Sequence, residues 1–204
     1  MKNIKTFFYE YFGLSKWRIL PWVVYVLLIP CLIIHIRIKY GIGLIYGSLV
    51  SYILFFFYPL FSTLWTILYL NEVLTLPGKE LFQFYRGNHM ASVCKIQLPT
   101  LLILFFTAAL AALGWKSLWL DGLGTALVCI FLNAGCYLLL RTFPFPILAA
   151  SVTVLYPIFV FFLNNGGHNW FIYYNKQPWA TENLFYNGIP LILATVTMYF
   201  IGSR

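Results

Sequence analysis

Residues 40–71 read YGIGLIYGSLVSYILFFFYPLFSTLWTILYLN, a run without a single Asp, Glu, Lys or Arg. A helix rises about 1.5 Å per residue and a hydrocarbon core is about 30 Å thick, so this run crosses a bilayer with residues to spare. A protein folded in water cannot keep charge off such a length, because its surface faces the solvent. Five more uncharged runs flank it, at 19–36, 96–115, 122–140, 142–175 and 183–203. The 13 Lys and Arg and 5 Asp and Glu fall almost entirely in the gaps between runs. The sequence therefore predicts an all-α integral membrane protein of about six transmembrane helices, with 1–204 forming a single transmembrane domain.

Composition points the same way. Hydrophobic residues make up 62% of the chain and charged ones 9%, against roughly 25% charged in soluble domains. Six spans and their links leave no room for a separate soluble catalytic domain. The formal net charge of +8 does not imply nucleic acid, because the basic residues are scattered over several links and form no block. Cys31, Cys94, Cys129 and Cys136 include no C-x-x-C pair, which excludes a recognisable zinc or disulfide framework. The first apolar run is too long for a cleaved signal peptide, and no small-residue cleavage site follows it.

Charge placement sets the expected orientation. With the N-terminus inside, the inner segments carry Lys2, Lys5, Lys16, Arg18, Lys79, Arg86, Lys95, Arg141 and Arg204. The outer segments then carry only Arg37, Lys39, Lys116 and Lys176. Basic residues collect on the cytoplasmic side, so both termini are expected there. Spans are expected at about 21–38, 43–70, 99–118, 122–140, from Pro146 to about 163, and 185–202. The link from Lys116 to Asp121 reads as a tight hairpin, with Asp121 as a loop acid. No Asp or Glu is placed deep in a span.

Two segments outside the spans are patterned. In 1–18, Ile4, Phe7, Phe8, Tyr11 and Phe12 recur at helical spacing among Lys2, Lys5, Glu10 and Lys16, the mark of an amphipathic helix in the interface. In 164–187, Asn and Gly alternate with Trp and Tyr, which belong at the membrane–water boundary. This segment is expected to be re-entrant or interfacial on the outer face, ahead of the last helix. The remaining connection, 71–98, is the only sizeable cytoplasmic loop. It holds Glu72, Lys79, Glu80, Arg86 and Lys95. Turn signals at Pro77-Gly78 and Gly87-Asn88 bracket one amphipathic turn whose apolar surface is Leu81, Phe82, Phe84 and Tyr85. Exposed aromatics on a short helix under the membrane mark a partner site.

With these features in order, the chain resembles the membrane subunits of type-2 ABC exporters. They share the six spans, the inner termini, the amphipathic N-terminal helix, a coupling helix between spans two and three, and an outer re-entrant segment between five and six. Gly78, Glu80-Leu81, the Gly87-Asn88 turn and Lys95-Ile96 match the family's layout around the coupling helix, although glycine stands where many relatives place proline. The resemblance implies that Glu72, Gly78, Lys79, Glu80, Leu81, Phe82, Phe84, Tyr85, Arg86 and Lys95 face a cytoplasmic ABC ATPase present in two copies. It implies a dimer with itself or a paralogous subunit, and a substrate path along spans two and five with Tyr52, Phe55, Tyr58, Ser62, Ser151 and Tyr156 as candidate lining. No G-x-x-x-x-G-K-[ST] phosphate loop is present, so no cofactor is expected in this chain, and ATP and Mg would be bound by the partner.

The expected activity is thus that of a non-enzymatic subunit exporting a hydrophobic or amphipathic peptide, drug or lipid-like substrate across a cell membrane, the bacterial inner membrane being the expected one. A non-transporting immunity, sensor or scaffold protein could share the topology. An intramembrane enzyme fits less well, because His35, His89 and His168 are scattered and no paired acids occur within the spans. Asn133, an amide within an apolar run, is expected to make an interhelical hydrogen bond.

Overall fold

A computed structural model describes residues 19–75, 89–143, 148, 151–156, 158 and 181–203. All regular structure among them is helical. Helix α1 (Ile19–Val23) leads through a π-helical turn (Val24–Leu28) into α2 (Ile29–Tyr40), making one rod. Helices α3 (Leu44–Thr75), α4 (His89–Ala112), α5 (Leu118–Thr142) and α6 (Thr181–Ser203) follow. Three stretches, Pro21–Tyr40, Leu44–Leu68 and Leu118–Leu140, are long and apolar enough to cross a membrane, and Gln97–Ala112 and Gly188–Gly202 are shorter apolar helices. The chain is thus a multi-pass membrane protein. In lipid a helix pairs its own backbone groups, so such sequences have little other choice.

The links are short and chemically specified. Gly41 adopts φ 67°, a conformation that favours glycine, and its N–H closes α2 on the Arg37 carbonyl at 3.0 Å. Between α4 and α5 the chain turns at Leu113–Ser117, with Gly114 N–H on Ala111 O and Leu118 N–H on Trp115 O, both at 3.0 Å. The hairpin was expected at Lys116 to Asp121, and this is corrected. Helix α5 starts at Leu118, so Asp121 is no loop acid. It sits in the first turn of the helix with no solvent exposure. The exposed N–H groups and the positive end of the helix dipole favour a carboxylate there. Helices α3 and α6 also outrun their expected limits, the former to Thr75 and the latter back to Thr181.

Helix α5 occupies the centre and packs against α3, α4 and α6. Small residues let the backbones close in: a Cβ added to Gly122 would stand 2.5 Å from the Ala108 Cβ, and one on Gly202 would stand 2.9 Å from the Tyr137 ring. Helices α5 and α6 run parallel. Gly188 faces Leu127, Gly135 faces Met198, and Gly202 faces Tyr137 and Leu138. Thr142 and Thr181 therefore lie at opposite ends of the bundle. The helical residues 151–156 run opposite to α5, with Thr153 hydrogen-bonded to Cys136 and Tyr156 beside Val128 and Leu132.

Two ends of the bundle follow from these pairings. At one, Trp22 meets Trp65 edge-on at 5.4 Å and the Gln97 amide donates to the Tyr199 hydroxyl at 3.2 Å. Residues 19 and 203 belong to this end. At the other, Tyr46 and Gly47 pack on Gly114 and Trp115. The interfacial helix expected in 1–18, the turn at 76–88, Pro144 and Pro146, and residues 164–180 of the outer segment lie outside the described residues.

Candidate functional site

Halfway along α3 the chain reads Phe57-Tyr58-Pro59-Leu60-Phe61-Ser62-Thr63, and this stretch gathers polar groups from three other elements. The π-helical turn carries Tyr25, whose ring stacks on Tyr58 with centroids 4.7 Å apart and planes 8° from parallel. Its hydroxyl donates to the Tyr58 carbonyl at 2.9 Å. The Tyr58 hydroxyl lies 2.7 Å from Thr107 Oγ1 on α4, and Thr107 in turn donates to the Ile103 carbonyl at 2.7 Å. Thr107 spends its one proton on Ile103, so Tyr58 is the donor of that pair.

One turn further on, Asn133 of α5 donates from Nδ2 to Ser62 Oγ at 2.7 Å, the interhelical bond expected of this amide. Cys129, buried one turn before Asn133, also hydrogen-bonds Ser62. Asn133 Oδ1 is buried without a hydrogen-bond partner. Within α3 itself, Thr63 Oγ1 bonds the carbonyls of Pro59 (3.0 Å) and Leu60 (2.8 Å), and Thr66 Oγ1 bonds that of Ser62 (3.2 Å). Phe61 seals the side next to Tyr25, edge-on at 6.4 Å. Hydroxyls and amides this deep in an apolar bundle must find partners, and nearly all of them do.

Of the residues expected to line a path, Phe55, Tyr58 and Ser62 are buried inside the bundle, Tyr52 and Tyr156 are half-buried, and Ser151 is exposed. Tyr58 and Ser62 belong to the cluster just described; Ser151 does not. Glu72 and Lys95 lie within α3 and α4. Gly78, Lys79, Glu80, Leu81, Phe82, Phe84, Tyr85 and Arg86 fall outside the described residues. Sequence reading passed over Tyr25 and Thr107, which complete the cluster. A lone hydroxyl in the middle of an apolar run is the signal that finds both, since such a group needs a partner.

Chemically the cluster holds donors and acceptors without a charge or an acid–base pair, so it can position helices and pass hydrogen bonds but not activate a nucleophile. Among the described residues no three His, Cys, Asp or Glu side chains gather as a metal site. No family model, curated protein or solved structure matches the chain.

Proposed function

We propose that the chain is the membrane subunit of an ATP-driven exporter for a hydrophobic or amphipathic substrate. The observation that carries this reading is the reach of α3. Its apolar span ends at Leu68, yet the helix continues to Thr75, and α4 resumes at His89. Its 32 residues extend about 48 Å, well beyond a hydrocarbon core of about 30 Å. The excess lies at the end that holds residues 19 and 203, which the excess of Lys and Arg assigns to the cytoplasm. Thr75 and His89, the described residues that flank 76–88 in the sequence, thus lie on the side where an ATPase would dock.

In this reading the subunit pairs with a second copy or a paralogue, two ATPase chains supply ATP and Mg, and the membrane is a cell membrane. ATP-driven closure of the ATPases moves the loops together as rigid bodies. The experiment is purification of the full-length chain from its native membrane with an assay of ATP hydrolysis in the eluate. An ATPase that co-purifies, and is released by Arg86→Glu or by Phe82→Ala/Phe84→Ala, is the expected result. A chain that emerges alone removes the exporter reading and leaves a scaffold or immunity role in its place.

A further inference from the structure

We infer that Pro59 is a hinge dividing α3 into two arms, and that hydrogen bonds from Tyr25, Thr107 and Asn133 form a latch holding the hinge in one of two settings. Proline supplies no N–H, so α3 lacks the backbone rung it would otherwise make at this position. The next two turns are softened further. Thr63 and Thr66 bond back to carbonyls of their own helix, a habit that loosens and bends helices. Proline and threonine are each common in membrane helices, but here the two coincide within residues 59–66.

Three other elements grip this soft stretch, and they grip it on its two sides. Tyr25 holds the carbonyl of Tyr58, the last residue before the proline. Thr107 holds the Tyr58 side chain from α4. Asn133 holds Ser62, one turn past Tyr58, from α5. Tyr25 is itself delivered by a π-helical turn, a local irregularity that commonly marks a place where helices adjust. Each of these hydrogen bonds is neutral, strong enough to choose a setting and weak enough to be exchanged. Asn133 also keeps one buried acceptor unused, Oδ1. Native interiors rarely leave such a group idle, so it stands free to take a donor when the lower arm shifts.

The upper arm, Leu44 to Tyr58, is fixed to the Gly114–Trp115 turn by Tyr46 and Gly47. The lower arm, from Pro59 onward, leads to residues 76–88. Bending at Pro59 therefore shifts the lower arm, together with its Trp22–Trp65 contact, while the far end stays in place. The hinge needs no ATPase to exist, so it stands or falls separately from the exporter reading.

The test is a spin-label distance measurement on the full-length chain in lipid nanodiscs. Labels go on Ile45→Cys and Leu68→Cys, with the exposed Cys31 and Cys94 changed to Ser. The latched protein is expected to give one narrow distance distribution. Tyr25→Phe keeps the stacked ring and removes the hydroxyl, and it should add a second population by shifting the latched-to-unlatched ratio about fivefold. Thr107→Val releases the same residue from the α4 side and reads the same quantity should Tyr25→Phe not yield folded protein. Adding Pro59→Ala to either variant should restore a single distribution. A distribution unchanged by both latch variants, or a second population that survives Pro59→Ala, overturns the inference.

Discussion

The span Pro21–Tyr40 and the span Leu118–Leu140 have the same mean hydropathy, yet 33% of the apolar window of the first lies buried inside the bundle against 61% of the second. The first turns Val26, Leu27, Ile34 and Ile38 outward, all exposed. The second buries Gly122, Thr125, Ala126, Cys129, Asn133 and Cys136. Lipid tails are as apolar as leucine, so hydropathy alone cannot order helices within a bilayer. What places α5 at the centre is the room its small residues leave for neighbouring backbones, together with polar groups that can be satisfied only by protein. A membrane helix goes to the middle by being thin and weakly polar, and to the edge by being bulky.

The largest expected effect lies at the tightest point of the central helix. Gly122→Val should lower stability by about 3 kcal/mol, since the new side chain must displace Ala108. Gly43→Val, with no atom within 4 Å of a new Cβ, should leave it unchanged. Thermal unfolding of both variants in the same detergent decides the matter, and equal behaviour would remove packing as the cause. A smaller effect is expected at Asn133→Ala, about 1 kcal/mol, because one interhelical hydrogen bond goes and an idle acceptor goes with it. Ser62→Ala added to it should cost less than Ser62→Ala alone, since only its Cys129 bond then remains to be lost, and an additive double variant would show that the two residues act apart. The smallest effect belongs to the outer rod: Leu27→Ala should stay within about 0.5 kcal/mol, because its side chain faces lipid.

Much of the architecture was legible because charge cannot enter lipid. The apolar runs locate α3 to within a few residues at its start. Pro59, Pro99 and Pro190 gave no useful boundary, since each lies inside a helix. In a bundle, neighbouring groups compensate for what proline removes. Asp121 was misplaced for a related reason: beside Lys116 it reads as loop, whereas a hairpin of five residues draws it into the helix. At the cluster, Tyr58, Ser62 and Asn133 stood out as polar residues in apolar runs. Which way they face did not, because these helices are apolar all round and have no polar side to set the direction.

The parallel course of α5 and α6 has a consequence for how the protein is made. Leu127 meets Gly188 only after roughly 60 further residues have been synthesised, and at 5–20 residues per second that takes about 3–12 s. From the time α5 enters the membrane until α6 follows, the side bearing Gly135 and Tyr137 lacks its α6 partners. Lipid can cover it meanwhile, and a helix distant in the chain completes the centre of the molecule rather than its edge.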